Sequence, residues 1–381
     1  MTTCGFGDFA ALRNRVQAEM MRRLPDHLAR LHLDAEQIAR RQRDGLRSLL
    51  RQAIARSPFH ARRLAGVDPE RIDLTDLPRL PVMTKSELMH EFDDVLTDRR
   101  LSRALCERAL AATRDEPRPL FGEYTCLASG GSSGLRGVFV LDADAMIEFL
   151  SSLNRRTMER LVAQGGPPPG GVQIALVAAA SAVHATGSAP AWTAGGAVRI
   201  VGVPVTSPFD AIVARLEELR PQVLYGYPSM LVCLARERAA GRLRVAPEAI
   251  VATSETLLPE WRATIEEAFG VPVSNTFGSS EGLVGVSAPG DPAIESTPTS
   301  ASSSWSTRRI VRCRPGCRRR RSSSPTSRTA SSRSFATRSR TASSACRTLR
   351  ITDTCARWSR GGATTCCAGE PPRCIRSSSA P

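Results

Sequence analysis

The sequence predicts an α/β fold in which helices pack on a largely parallel sheet. Three observations carry that reading. From about residue 120 to 285, short apolar runs alternate with amphipathic helical patterns. Those runs are bounded by Gly, Pro or polar residues, as buried strands are. After about residue 290 the periodicity stops, and Ser, Arg, Thr, Pro and Cys dominate a tail expected to be mostly disordered.

Residues 9–65 read as helical. In "LRSLLRQAIARSPFHARRL", Leu46, Leu49, Leu50, Ala53 and Ile54 share one face, and Pro58 ends the run. "LPRLPVMTKSELMHEF" is a proline-punctuated connector into a helix that Thr84 can cap. "GVFVLD" is a strand, 143–163 a helix, "GGPPPGG" a loop and "VQIALVAA" a strand. "FDAIVARLEELR" is a helix with Phe209, Ile212, Val213, Leu216 and Leu219 inward. "PQVLYGY", "EAIVATSE" and the start of "VPVSNTFGSSEG" are strands, separated by the helices "PSMLVCLARERAAG" and "PEWRATIEEAFG". The chain divides into a helical segment (1–80), a main unit (81–290) and a tail (291–381).

A formal net charge of +15 points at first to nucleic acid or an anionic membrane. Its distribution removes that argument. Residues 291–381 hold 18 arginines against Asp291, Glu295, Asp353 and Glu370, net +14. The first 290 residues hold 34 basic and 33 acidic groups, net +1. No specific nucleic-acid partner and no membrane is expected for the main unit. Its longest apolar run, "IALVAAASAV" at 174–183, is too short to span a bilayer. Cys4, Cys106, Cys126 and Cys233 are widely spaced with no metal-ligand pattern. With no signal peptide evident, they read as reduced thiols of a cytoplasmic protein.

Two stretches carry chemistry. In "ASGGSSGLRGVFV", Ser129, Gly130, Gly131, Ser132, Ser133 and Gly134 precede a strand. Glycines let backbone N–H groups turn toward one point and hydroxyls add donors, which suits phosphate oxygens. Arg136 adds a cation nearby, but GxxxxGK[ST] is absent. Taken alone, such a loop is more often a plain flexible one. In "NTFGSSEG", Glu281 lies in a Gly/Ser turn after a strand, where a carboxylate can hold Mg²⁺ and Phe277 can stack on a base. Alone, it is more often a solvated glutamate.

Together, with "YGYPSML" and "VATSETLLPEW" between them, these motifs resemble the AMP-forming adenylating enzymes, and within them the phenylacetate–CoA ligase family. "LPVMTKSEL" and "LLRQAIARSPFHARRL" resemble that family's N-terminal signature, so the likeness covers roughly residues 40–290. It implies an adenylating-enzyme N-terminal domain and its roles. Ser129, Ser132, Ser133 and the adjoining glycines would grip ATP phosphates. Ser254, Glu255 and Thr256 would border the adenine, with Phe277 against its face and Gly278, Ser279 and Ser280 beside it. Glu281 would bind Mg²⁺. Tyr225, Gly226 and Tyr227 would lie near the acyl pocket, and His184 either lines that pocket or is a loop histidine without a role. The implied reaction joins a small carboxylic acid, such as an aryl acid, to ATP as an acyl-adenylate, and then to coenzyme A or a carrier-protein thiol.

The sequence departs from that pattern in two places. The phosphate loop lacks the usual Pro-Lys and reads "GLRGV", with Arg136 in place of that charge. Family members also continue to a ribose-binding Asp, a hinge and a small domain with a catalytic lysine. This chain has one lysine, Lys85, in the N-terminal signature. Its tail has the composition of a GC-rich gene read out of register. Read one base earlier, "TSRTASSRSFATRSRT" at 326–341 admits a segment similar to the one carrying the ribose-binding Asp. A frame break is therefore expected between about 284 and 297, leaving ligase turnover impaired or absent. Two alternatives stand beside this: a nucleotide-binding pseudoenzyme, and a nucleic-acid-binding protein acting through the basic tail.

Overall fold

The structure, a computed structural model, describes residues 5–130, 135–291 and 295–296. The N-terminal segment is built by α1 (Phe9–Ala29), α2 (Ala35–Arg56) and α3 (Pro58–Arg63). Asp34 opens α2 with a reciprocal capping box to Gln37, satisfying two donors that a helix start leaves free. Leu46, Leu50 and Ala53 are buried on its inner face, with Leu49 and Ile54 packed beside them, as the spacing predicts. Pro58 sits at the start of α3, where its missing N–H costs nothing.

Three short helices follow: α4 (Lys85–His90), α5 (Phe92–Val95) and α6 (Arg103–Ala112). Thr84 caps α4 as expected, in a second capping box with Glu87. An antiparallel hairpin of β1 (Tyr124–Ala128) and β2 (Val138–Asp142) pairs Ala128 with Val138 and stands apart from the main sheet. Asp142 then caps the long α7 (Ala143–Ala163) by accepting from the Ala145 N–H at 2.8 Å.

The remaining elements alternate: β3 (Val172–Ala178), α8 (Ala185–Thr193), β4 (Val198–Pro204), α9 (Phe209–Leu219), β5 (Val223–Gly226), α10 (Pro228–Ala239), β6 (Ala249–Thr253) and α11 (Pro259–Phe269). The sheet closes with β7 (Val273–Gly278), β8 (Val284–Val286) and β9 (Glu295–Ser296). Its order is β4-β3-β5-β6-β7-β8-β9; β4 through β7 run parallel, and β8 and β9 are antiparallel additions. The expected α/β class therefore holds.

One sheet face buries Leu224, Ile250 and Val273 against Leu216 of α9, Leu231 of α10 and Ile265 of α11. On the other face, Ile174 and Val223 pack with Leu161 of α7. Fully burying a side chain of this size stabilises by roughly 1.5–3 kcal/mol. That two-sided burial is why these strands read as near-continuous apolar runs.

The sequence reading passes over α5, α6, β1, α8, β4, β8 and β9. Strand β4 is the sheet edge, half exposed and interrupted by Arg199 and Gly202, so neither alternation nor a solid apolar run marks it. Helix α8 carries Gly187 and Pro190, both poor helix residues. The tail boundary at 291 also shifts: Glu295 and Ser296 form β9 on β8. Gly131, Ser132, Ser133 and Gly134 lie outside the described residues, as does the tail from 297 onward.

Candidate active site

Strand β3 has β4 on one side and β5 on the other, and the chain leaves β3 toward β4 but leaves β5 toward β6. The loops after β3 and β5 therefore part, and ligands bind at such a switch point, beyond the strands' carboxyl ends. Every sequence-predicted residue between 184 and 281 lies at or just beyond a carboxyl end. His184 follows β3. Tyr225 and Gly226 end β5, with Tyr227 next. Ser254, Glu255 and Thr256 follow β6. Phe277 and Gly278 end β7, and Ser279, Ser280 and Glu281 form its turn into β8.

The glycine/serine loop joins β1 to β2, and its base is closed by two bonds. Ser129 N–H donates to the Gly137 carbonyl at 2.9 Å, and Gly137 N–H donates to Ser129 Oγ at 2.8 Å. A Cβ on Gly137 would lie 3.2 Å from that Oγ and 2.9 Å from the Phe139 ring, so the closure requires glycine there. Ser129 is half-buried and Gly130 exposed.

Contacts tie this hairpin to the β3 loop. Ala128 N–H donates to the Val183 carbonyl at 2.8 Å, and His184 Nδ1 donates to the Ala128 carbonyl at 2.8 Å. Since a carbonyl only accepts, that bond places a proton on Nδ1. Gly187 lets the loop fold back, because a Cβ there would meet Ser181 O at 2.1 Å and Ala179 O at 3.0 Å.

The β3 loop and α8 reach β5 and β6 in turn. Tyr227 Oη accepts from the Ala179 N–H at 3.1 Å, across the gap between β3 and β5. Thr186 Oγ1 lies 3.3 Å from Ser254 Oγ. Ser254 has φ +64°, a left-handed backbone that a serine adopts only when its surroundings hold it there. Beside it, Glu255 Oε2 accepts from the Ser229 N–H at the start of α10, 3.1 Å away. Tyr225 points the other way, into the face shared with α7, and shares hydrogen bonds with Thr253 and Thr276. Burial pushes its phenol up, so it stays protonated.

The β7–β8 turn is tight: Gly282 N–H donates to Ser279 O and Ser279 N–H to Leu283 O, both at 2.9 Å. Glu281, half-buried in that turn, has no ion pair among the described residues. No group of three or more His, Cys, Asp or Glu side chains converges there or elsewhere among them. That donor set cannot form an all-protein metal cage. It does fit Mg²⁺, which keeps its waters and takes one or two carboxylates plus substrate phosphates.

Two cations lie near the ends of the loop. Arg136, expected to serve the loop, is half exposed with its guanidinium 3.8 Å from Glu107 of α6. Lys85, assigned no site role by the sequence, lies at the loop: Nζ is 3.4 Å from Ser129 Oγ and 3.3 Å from the Leu135 carbonyl. Its one sequence signal is a lone lysine at a helix start behind a proline-rich connector, and nothing local pairs it with a loop 44 residues away. A surface cleft of about 240 Å³, lined by His90, Glu91, Phe92, Asp93, Asp94 and Arg103, shares no residue with the strand-end crevice.

No protein-family model matches the chain, and no curated protein matches it. Among solved structures, the fold is similar to that of a 2-hydroxyisobutyryl-CoA ligase. An open conformation of that ligase, in complex with 2-HIB-AMP and CoA, matches with a TM-score of 0.50 at 19% identity, over 66% of this chain and 57% of that one. Its postadenylation state in complex with R3-HIB-AMP matches with a TM-score of 0.50 at 18% identity, over 69% of this chain and 53% of that one. In the thioesterification state, with 2-HIB-AMP and CoA, the figures are 0.50, 18%, 69% and 54%. The chain thus spans little more than half the length of these ligase structures. At this identity the likeness is one of fold, the fold of an acid–CoA ligase. No helix among the described residues is long and apolar enough to cross a membrane.

Proposed function

We propose that the main unit is an adenylating scaffold of the phenylacetate–CoA ligase type. It binds ATP at the glycine/serine loop and an aryl or other small carboxylic acid between β3 and β5. The observation that carries this is the unbroken chain of contacts from Ser129 and Ala128, through His184 and Thr186, to Ser254. Three elements distant in sequence meet there, which supports the reading. Cytoplasmic location and a CoA or carrier-protein acceptor belong to the same reading.

In this reading each side chain has a positional task. Ser129 and the loop N–H groups hold phosphate oxygens, which fixes the α-phosphate for in-line attack by the carboxylate. Ser254, Glu255, Thr256 and Phe277, with Gly278 to Ser280, border the base. Tyr227, Gly226 and His184 line the acid side. Glu281 would hold Mg²⁺, which when bound neutralises phosphate charge. Turnover is impaired, because the residues after the Glu281 turn lack the ribose Asp, hinge and catalytic lysine that the resemblance implies.

Calorimetric titration of the full chain with ATP·Mg²⁺ tests the binding half, and absence of detectable heat at millimolar nucleotide overturns it. Acyl-CoA formation with phenylacetate tests the other half. It should be absent or trace, and normal turnover removes the impairment. The DNA of codons 280–300 should show one missing or extra base.

A further inference from the structure

We propose that Cys106 and Cys126 are a redox-responsive thiol pair that closes, under hydrogen peroxide, into a disulfide joining α6 to β1. The inference is independent of the nucleotide-binding reading above. It rests on the place where two elements bring two sulfurs together.

Cys106 lies on the inner face of α6 beside Leu105, Ala109 and Leu110. Cys126 sits in the middle of β1, paired across the hairpin with Val140. Both enter one core with Phe92, Leu120 and Val138, where Cys106 is 0% exposed and Cys126 4%. There the two thiols hydrogen-bond to each other. Closing that contact to the S–S length of about 2.05 Å needs a short approach of sulfurs that already meet.

The surroundings favour a disulfide over other uses of the pair. No group of three or more His, Cys, Asp or Glu side chains converges among the described residues, so the pair is not part of a metal cage. Cys233, the remaining buried cysteine among them, lies on α10 outside this core. A disulfide is neutral and carries no donor that needs a partner, which suits an apolar interior. The hydrogen bond with Cys106, and then burial, hold the Cys126 thiol well above the usual range. Thiolate is therefore scarce, and the pair answers sustained oxidant rather than a brief pulse.

The chemistry balances with peroxide as the only co-reactant. One sulfur attacks a peroxide oxygen and the O–O bond breaks. The released hydroxide leaves with that thiol's proton as water, and a sulfenic acid remains. The second sulfur displaces the hydroxyl, which departs with the second thiol proton as another water. The two thiols lose two electrons and the peroxide gains them. Strand β1 continues to Ala128, whose N–H and carbonyl hold Val183 and His184, each at 2.8 Å. The disulfide thus pins to α6 the strand that carries the β3 loop.

Peptide mapping of the full wild-type chain tests this. The chain is oxidised with hydrogen peroxide, its remaining thiols are alkylated in denaturant, and it is digested with trypsin without reduction. Cleavage after Arg103, Arg108, Arg114 and Arg136 leaves Cys106 in 104–108 and Cys126 in 115–136, since Pro119 protects Arg118. The two peptides should appear joined, and dithiothreitol should release them. The joined pair should be several-fold more abundant from the native chain than from chain oxidised in urea, where the fold no longer selects among eleven cysteines. If Cys106 and Cys126 are recovered alkylated, or joined to other cysteines, the proposal falls. Equal yields from native and urea-unfolded chain overturn it as well. Neither result bears on ATP binding.

Discussion

Ser254 shows at the scale of one residue how the site is held. A serine at φ +64° stores strain of order 1 kcal/mol or more, which its neighbours must offset. Thr186 and Thr253 place hydroxyls 3.3 and 3.4 Å from Ser254 Oγ, and Glu255 N–H donates to the Thr253 carbonyl at 2.8 Å. Two substitutions separate strain from hydrogen bonding. Ser254→Ala keeps the strain and loses the hydroxyl, so it should be the less stable variant. Ser254→Gly relieves the strain, although its freer unfolded chain returns part of the gain. Urea unfolding should place the glycine variant about 1 kcal/mol above the alanine variant. Both should bind ATP more weakly than wild type, because both lack the hydroxyl. A glycine variant less stable than the alanine one would mean that the left-handed backbone carries no strain.

At the scale of elements, two buried histidines lie on the N-terminal helices α1 and α3, and His27 joins its helix to α7. His27 of α1 is 1% exposed, with Nε2 3.7 Å from Glu148 of α7, and Arg30 Nη1 reaches the same carboxylate at 2.8 Å. Burial, the largest influence, lowers the His27 pKa, with Arg30 and Arg155 acting in the same direction and Glu148 and Asp26 opposing. His60 of α3 is lowered to about 4 by burial and then by Arg63. In the unfolded chain both titrate near about 6.5, so between that pH and about 4 the unfolded state binds more protons. Stability is therefore fully present above about pH 6.5 and falls as pH drops toward about 4, by up to about 3 kcal/mol for His60. Asp98 and Glu19, both held near 2 chiefly by hydrogen bonds from arginines, lose their contributions mostly lower, as pH falls from their ordinary carboxylate range toward about 2. His60→Leu should flatten the fall in melting temperature between about pH 6.5 and 4.5; an unchanged slope would remove His60 as its cause. Elements with one consistent pattern, such as α7, α9 and the buried strands β3, β5, β6 and β7, were legible in the sequence. Those shaped by tertiary contact were not: α8 tolerates Gly187 because a loop folds against it, and β4 is half exposed at an edge. In the site, the described motif residues 184, 225–227, 254–256 and 277–281 lie at or just beyond strand ends, residues 131–134 lie outside the described residues, and Lys85, defined only by a long-range contact, went unread.

At the scale of the whole molecule, charge and packing divide the chain at nearly the same place. All buried cores among the described residues lie between Phe9 and Val284, while almost all the net charge lies in the tail. Removing 297–381 takes the formal charge from +15 to −1 and deletes none of those buried side chains. Binding to polyanions and binding to nucleotide should therefore separate. The full chain should bind double-stranded DNA of any sequence at low salt, through phosphate neutralisation by arginine. That affinity should fall on the order of a thousandfold between about 50 and 200 mM salt, as counterion release requires. A chain ending at residue 296 keeps β9 on the sheet edge, and should melt at the same temperature and bind ATP equally well while no longer binding DNA. The three readouts are independent. Loss of ATP binding on truncation would place part of the nucleotide site in 297–381, and the main unit would then not hold the nucleotide alone. DNA binding that survived truncation, or that favoured one sequence at near-physiological salt, would move the nucleic-acid surface onto the folded unit, whose near-neutral charge argues against it.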